Sequence, residues 1–328
     1  MSTLIADPRL RRILTLPDET AEGWTVDLER FERGDVTLTR QSAGEGSIKA
    51  VQRLLIFLGY STASTGAFLI DGDFGRGTNR AVAQFELEHG LTKISRTDLC
   101  YPCTWQNASQ KIVSIPDSKL TQTTLAKMLE VAQGMIDRRA VLCGSVDEAT
   151  FHLDALHRRR LLSCAEIRTR YGKFVDDAIA SVAIEGITIS HFWPLAIIKQ
   201  ETSGIVRPRF EQHLLSRMNK THKNVDFAEL RHRSMSMGLG QILGDNFRIV
   251  KAASAQAMYS STIPEQIAQI ARFLTSNAKI VSIVRRDDPS EADFRTVAKF
   301  YNGPGYEKHH YHESLARWFR EFKVLAGA

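Results

Sequence analysis

The chain has 328 residues, of which 43% are hydrophobic and 24% are charged. This length suits two domains, and this composition excludes a disordered polymer. No apolar stretch is long enough to cross a bilayer, and residues 1–16 lack the apolar core of a secretory signal. We therefore expect a protein made in the cytoplasm without a signal peptide and without membrane insertion.

The net charge of +6 favours polyanionic partners, of which nucleic acid, acidic lipid and cell wall are the usual three. The densest basic run, Arg158 to Arg160, lacks an interleaved aromatic pattern, so we expect a solvated helix face and no nucleic-acid binding. A single Cys-Xaa-Xaa-Cys pair is a weak metal signal. We expect no metal or other cofactor, and either free thiols or a disulfide formed after export; the cysteines are Cys100, Cys103, Cys143 and Cys164.

Residues 1–43 are mixed and polar and predict an N-terminal extension that ends in a linker. A helix is predicted from Ser47, as its N-cap, to Gly59, because apolar residues recur on one face. A turn follows at Ile70-Asp-Gly-Asp-Phe-Gly75, and a second helix is predicted from Thr78 to Gly90. Helix, turn and helix together predict a compact unit with one modest core.

These segments resemble the widespread peptidoglycan-binding domain in order and wording over about forty-five residues. The resemblance implies anchoring to the cell wall, a third helix within Thr121 to Val131, and a module that spans residues 44–135. It also implies that the turn contacts the wall through Asp71, Asp73 and Phe74. The alternative is a helical packing module without a ligand.

Residues 136–174 predict a helical connection without chemistry. A further helix is predicted over Phe192 to Gly204, with Pro194 in its first turn and Glu201 in its last turn. Partial burial and the negative end of the helix dipole would both raise the pKa of Glu201. A carboxyl group with such a pKa can serve as a general acid near neutral pH.

Two glycine-containing motifs follow, Ser234 to Ile242 and Tyr301-Asn-Gly-Pro-Gly-Tyr306. Each motif alone predicts a tight turn. In this order with Glu201-Thr-Ser-Gly204, however, they resemble the lysozyme-like superfamily of goose-type lysozymes and lytic transglycosylases. Arg207-Pro-Arg-Phe-Glu-Gln-His213 narrows the resemblance to the N-acetylmuramidase family of phage endolysins. The two resemblances together imply a mainly α protein: a small three-helix peptidoglycan-binding module, then a helical lysozyme-like catalytic domain over residues 175–328.

By that resemblance, Glu201 would protonate the glycosidic oxygen between N-acetylmuramic acid and N-acetylglucosamine. A second carboxylate would act as a nucleophile or activate water. Glu211 is a candidate for it, and a structural carboxylate bonded to a nearby arginine is the alternative; Asp245 is a weaker candidate. The residues expected to hold the sugar are Ser203, Gly238, Gln241, Tyr301 and Asn302.

The sequence therefore predicts a bacteriolytic muramidase that acts as a monomer on peptidoglycan in the periplasm. Its closest rival is a lytic transglycosylase, which needs no water-activating base. A third hypothesis is a non-catalytic wall-binding protein. A chitinase is a further alternative, which the predicted wall-binding module makes less favourable. The route to the wall stays open between release through a phage holin and injection as an effector with an immunity protein.

Overall fold

The computed structural model describes residues 3–18, 22–37, 44–100, 120–184 and 186–327. These residues are mainly α-helical and contain one small antiparallel sheet. The fold class expected from the sequence is confirmed. None of the helices in these ranges is both long and apolar enough to span a membrane.

The described helices are α1 (Pro8–Leu14), α2 (Glu22–Arg33), α3 (Glu45–Phe57), α4 (Arg76–Glu88), α5 (Arg96–Leu99), α6 (Gln122–Asp137), α7 (Val146–His157), α8 (Cys164–Ile184), α9 (Phe192–Thr202), α10 (Gln212–Thr221), α11 (Phe227–Arg233), α12 (Ala255–Tyr259), α13 (Ile263–Thr275), α14 (Ala278–Val284), α15 (Glu291–Asn302) and α16 (Tyr311–Ala326). The strands are β1 (Arg209–Phe210), β2 (Met235–Met237) and β3 (Ile242–Leu243). They pair antiparallel in the order β1-β2-β3.

The predicted peptidoglycan-binding module contains α3, α4 and α6, the third of which is capped by the Thr121 side chain. Both predicted glycine ends are confirmed, with φ of 93° at Gly59 and 68° at Gly90. The predicted N-caps are wrong. Helix α3 begins two residues before Ser47, with Gly44 as its N-cap, and α4 begins before Thr78, which lies inside the helix.

The Asp-Gly turn between α3 and α4 is held by the buried side chain of Gln52. Its amide oxygen accepts hydrogen bonds from the backbone N–H groups of Asp71 (3.0 Å) and Gly72 (2.9 Å). Its amide nitrogen donates to the Asp71 carboxylate at 2.8 Å and to the Asp73 carbonyl at 3.0 Å. The turn is therefore anchored to α3 through hydrogen bonds to its backbone groups.

The described parts of residues 1–43, which include α1 and α2, are not a separate extension, as the sequence pattern suggested. Helices α1 and α2 pack against α3 and α6, because their apolar faces need a partner to leave water. The fully buried Arg53 of α3 donates to the Ile13 carbonyl at 2.8 Å and pairs with Asp154 of α7 at 2.7 Å. The N-terminal segment is thus part of the same core as the module.

The predicted boundary between residues 174 and 175 falls inside α8 and is wrong, because a continuous helix spans it. Helix α8 packs against α9, α13 and α16, and near its start Arg168 donates to the Leu325 carbonyl of α16. The helix bundle therefore begins near Cys164. Its centre is aromatic: Trp193 of α9 contacts Phe294 and Phe319 with ring centroids 5.1 and 4.9 Å apart.

The module and the bundle share a buried polar contact. Arg231 of α11 and Glu88 of α4 form an ion pair of 2.7 Å in which both side chains are less than one-tenth exposed. The Tyr60 hydroxyl donates to the same carboxylate at 2.6 Å, and the Arg231 guanidinium lies 4.0 Å from the Tyr60 ring centroid. A charge buried this deeply requires its partner, so these contacts fix the module against the bundle.

The structure also shows the state of the cysteines and the position of the arginine run. Cys100, Cys143 and Cys164 are buried free thiols, whereas Cys103 lies outside the described residues. The arginine run is not a helix face: α7 ends at His157, and Arg158 to Arg160 form the turn after it. Arg159 has φ of 51° in this turn, so its side chain leaves the helix direction.

Candidate active site

A cleft of about 1140 Å³ lies beside the small sheet. It is lined by segments from the module, from the α7–α8 turn and from the helix bundle. The lining residues include Ala67, Leu69, Arg159, Arg160, Glu201, Arg207, Arg209, Glu211, Ser236, Gln241, Leu243, Tyr301, Asn302 and Lys308. A groove of this volume can hold several sugar rings of a glycan strand.

Glu201 lies in the last turn of α9 and opens into this cleft, partly buried. Burial raises its pKa to about 7, and this effect outweighs two that lower the pKa. These are a hydrogen bond donated by the Tyr311 hydroxyl and the positive charge of Arg207. The carboxyl group is therefore about half protonated at neutral pH, as a general acid requires.

The end of α9 is held by two hydrogen bonds and a left-handed turn, which fix the position of Glu201. Thr202 donates its hydroxyl to the Leu239 carbonyl at 2.9 Å, within the Gly238–Ile242 segment. Ser203 takes φ of 47° and Gly204 takes φ of 77°, which ends the helix in a left-handed turn. The Gly204 carbonyl accepts a hydrogen bond of 2.7 Å from the buried Tyr171 of α8. The acid therefore sits on a rigid element.

The glycine segment and the Tyr-Asn turn meet next to Glu201. The Tyr301 hydroxyl donates to the Gly240 carbonyl at 2.7 Å. A Cβ atom on Gly240 would lie 2.5 Å from the Ile270 side chain and 2.7 Å from the Tyr301 oxygen, so only glycine fits there. The two predicted turns are thus packed against each other, which a pair of unrelated turns would not require.

Glu211 is the second carboxylate among the described residues that line the cleft. Arg209 binds its Oε1 at 2.8 Å, and the His213 Nδ1 lies 3.6 Å from its Oε2. Burial nevertheless raises the pKa of Glu211, since it outweighs the nearby arginine charge. The structure brings Glu211 into the same cleft as Glu201, whereas Asp245 is not among the described lining residues.

Three of the five predicted sugar-holding residues line the cleft: Gln241, Tyr301 and Asn302. Ser203 and Gly238 are not among the described lining residues. The Ser203 hydroxyl donates to the Lys199 carbonyl at 3.2 Å, and Gly238 takes φ of 70° beside the Gln266 side chain. Both of these residues shape the backbone that carries the lining side chains.

The predicted wall-contacting residues do not reach this cleft. Asp71 and Asp73 are exposed in the turn held by Gln52, and Phe74 is partly buried against the core. The Asp71 carboxylate accepts from Gln52 and from the Asp73 N–H, the latter at 2.9 Å. In this structure the Asp71 side chain stabilises the turn itself.

Several lining or supporting residues escaped the sequence interpretation. Tyr311 is 110 positions from Glu201, so no local pattern could connect them. Arg207 and Arg209 were both considered as partners of Glu211; Arg209 forms this pair, whereas Arg207 faces Glu201. Arg159 and Arg160 both line the cleft. The dense positive charge of Arg158 to Arg160 was the signal that could have predicted a place in an anion-binding surface.

The cleft combines a partly buried acid with arginine and lysine side chains, an arrangement that suits acid-catalysed cleavage of a polar, anionic polymer. The comparisons with known proteins agree. Residues 228–323 match the N-acetylmuramidase family, and residues 44–93 match the peptidoglycan binding domain family. The chain is a peptidoglycan-degrading enzyme with an N-acetylmuramidase domain that follows a peptidoglycan-binding domain.

Among solved structures, the endolysin of the Burkholderia phage AP3 is similar to this chain at 16% sequence identity and a TM-score of 0.35. The similarity covers 85% of this chain and 95% of the endolysin chain. No curated protein matches the chain. Glu201 and Glu211 both lie before the range matched by the N-acetylmuramidase family, so their roles rest on the geometry of the cleft.

Proposed function

We propose that the enzyme is an N-acetylmuramidase that hydrolyses the bond between N-acetylmuramic acid and N-acetylglucosamine, with Glu201 as the general acid. The observation that carries this proposal is the cleft position of Glu201 together with its pKa of about 7. A protonated carboxyl group at the cleft surface can donate its proton to the departing glycosidic oxygen.

The positive charge of the cleft supports an anionic glycan over a neutral one. Arginine and lysine side chains from three segments line it, whereas Glu211 is paired with Arg209 and Glu201 is half neutral near pH 7. The muramic acid of peptidoglycan carries a lactyl group and a peptide stem with carboxylates, whereas chitin has none. Complementary charge of this kind favours peptidoglycan over chitin.

Glu211 is our candidate for the second carboxylate, because it lines the same cleft as the acid. Its raised pKa would help it accept a proton from an attacking water. The competing role is structural, since the ion pair with Arg209 also orders the start of α10. A lytic transglycosylase remains the second candidate function, favoured if Glu211 proves to be dispensable.

The test is digestion of purified peptidoglycan by the full chain, with released muropeptides measured by mass spectrometry beside Glu201→Gln. A muramidase yields reducing muramic ends, whereas a transglycosylase yields anhydro-muramic ends that are lighter by one water. Glu201→Gln should release neither product and should still sediment with sacculi through its module. Undiminished digestion by Glu201→Gln would remove Glu201 from the mechanism.

Glu211→Gln separates the two reactions further. If Glu211 activates water, this variant should lose at least about a hundredfold in turnover, the usual contribution of a general base. If the enzyme is a transglycosylase, Glu211→Gln should keep activity and anhydro products. Residues 44–135 as the wall-binding part stay a prediction, tested by loss of sedimentation in a full-length Gln52→Leu variant, which would loosen the turn that Gln52 anchors.

A further inference from the structure

The loop Ser61–Ile70 of the peptidoglycan-binding module reaches into the catalytic cleft. Ala67 in this loop pairs with Arg209 of β1 in an antiparallel bridge, and the Phe210 N–H donates to the Gly66 carbonyl at 2.8 Å. The module therefore extends the three-stranded sheet by one bridge beside its outer strand β1.

The register of this sheet places one row of residues in the cleft. Ala67 pairs with Arg209, Arg209 with Ser236, and Ser236 with Leu243. Directly paired residues of antiparallel strands point to the same face of a sheet. All four residues line the cleft, so one sheet face forms its wall and the module contributes the outermost position of that face.

The loop is held in this position by a close backbone contact and by hydrogen bonds from Arg80. A Cβ atom on Gly66 would lie 1.9 Å from the Phe210 carbonyl oxygen, so the two backbones touch at a distance that only glycine permits. Arg80 of α4 donates to the Ala63 carbonyl at 2.8 Å and to the Ser61 hydroxyl at 3.1 Å. The same guanidinium lies 5.0 Å from the centre of the Phe210 ring.

Below the loop, the buried Arg231–Glu88 pair closes the same interface. A module on a flexible tether would raise only the local concentration of substrate. A module locked to the sheet instead places its loop at a constant distance from Glu201. Sugars that lie across the row from Leu243 to Ala67 would then contact both parts of the chain at once.

We propose that loop Ser61–Ile70 carries a sugar-binding subsite of the catalytic cleft, in which Ala67 and Leu69 contact the glycan strand that Glu201 cleaves. The identity of the bond cleaved belongs to the proposed function, whereas the subsite is a statement about binding. The ligand class is an N-acetylated amino-sugar strand with peptide stems. The module thus acts within the substrate-binding surface as well as on the wall.

The test compares Ala67→Trp with Thr65→Trp in the full chain. Both residues are exposed in the same loop, but only Ala67 lines the cleft. The probe is soluble, uncross-linked peptidoglycan strand, released from sacculi by an endopeptidase that cuts the cross-links and leaves the peptide stems. It is titrated calorimetrically in the Glu201→Gln background so that no cleavage occurs. Ala67→Trp should raise the dissociation constant about tenfold, because a bulky side chain displaces the sugar and one contact of about 1.4 kcal/mol is lost.

Thr65→Trp should leave the dissociation constant within about twofold of the parent, a difference below 0.5 kcal/mol by the same relation. Equal dissociation constants for the two variants would overturn the subsite. If Ala67→Trp lowers the melting temperature, Ala67→Leu replaces it and the same comparison decides. Because binding is measured without turnover, failure of the assigned acid appears separately, as digestion that persists in Glu201→Gln.

Discussion

The Tyr311 hydroxyl, at the first residue of α16, donates a hydrogen bond to Oε1 of Glu201 at the end of α9. Burial raises the pKa of Tyr311 well above its usual range, so this group stays a donor at every working pH. The bond stabilises the charged form of Glu201 and partly offsets the burial that raises its pKa. The pKa of the acid is thus set by two helices that pack along each other.

Tyr311→Phe should therefore move the alkaline limb of the pH–rate profile upward. Without the donor, the Glu201 carboxylate loses a charge-assisted hydrogen bond worth about 1.5–3 kcal/mol, which is a rise of about one to two pKa units. The maximum rate should fall, because the acid is less well oriented. The measurement is the initial rate of peptidoglycan release between about pH 5 and pH 9, which spans the activity limbs of such groups.

Tyr301→Phe is the contrasting variant, because its hydroxyl donates to the Gly240 carbonyl and not to Glu201. It should lower the rate without a comparable shift of the alkaline limb. An unshifted limb in Tyr311→Phe would mean that the hydrogen bond does not control the acid.

The raised pKa of Glu201 also predicts how stability depends on pH. Its pKa rises from 4.5 in the unfolded chain to about 7 in the folded one, so the folded state holds the proton more tightly. Between these two values the unfolded state binds fewer protons, and the free energy of unfolding falls as pH rises. The loss is complete above pH 7 and amounts to roughly 3 kcal/mol.

Glu201→Gln removes this loss, because the amide stays neutral. At pH 8 the variant should unfold at higher denaturant concentration than the wild type, and at pH 4.5 the two should coincide. Urea unfolding at both pH values measures the difference directly. A constant gap between the two proteins at both pH values would show that Glu201 has an ordinary pKa in the folded state.

Local features of the fold were predictable from the sequence, and long-range ones were not. Gly59 and Gly90 end their helices as expected, because a positive φ after a helix is a requirement of a few neighbouring residues. The pairing of Ala67 with Arg209 joins segments that lie far apart in sequence, so neither segment reveals it. Helices α1 and α2 were missed for the same reason: residues 1–43 are mixed and polar in sequence, and their few apolar residues do not show which distant surface they cover.

In the candidate site, too, the local features were predictable from the sequence and the long-range contacts were not. Glu201 was predictable, because its place in the last turn of a helix is local. Its hydrogen bond to Tyr311, and the entry of Arg159 into the cleft, depend on how distant helices pack and on the turn that follows α7. Residue type and spacing therefore indicated the chemistry, while the supporting contacts needed the three-dimensional structure.

The buried pair of Arg231 and Glu88 predicts a large loss of stability on truncation. Arg231→Ala leaves the Glu88 carboxylate without its buried counter-charge and should lower the free energy of unfolding by about 3–5 kcal/mol. Lys173→Ala is the control, since its pair with Asp177 is exposed and contributes at most about 0.5 kcal/mol. Chemical denaturation measures the free energy of unfolding of both variants. A similarly small loss in each would show that the Arg231–Glu88 pair contributes little to stability.

The arginine turn after α7 predicts a salt-dependent effect on activity. Arg159 lines the cleft and has φ of 51°, and Arg139 after α6 has φ of 55° and is also exposed, but is not among the described lining residues. The two positions therefore form a matched pair with equal charge and similar backbone.

Arg159→Glu should slow peptidoglycan digestion about tenfold at low salt, because a carboxylate in the cleft repels the anionic peptide stems of the substrate. The deficit should shrink as salt rises from about 20 to 300 mM, since the screening length falls from about 20 Å to below 10 Å. Arg139→Glu changes the net charge equally and should lose less than half as much at each salt concentration. Equal losses in the two variants would assign the effect to net charge and remove Arg159 from the substrate-binding surface.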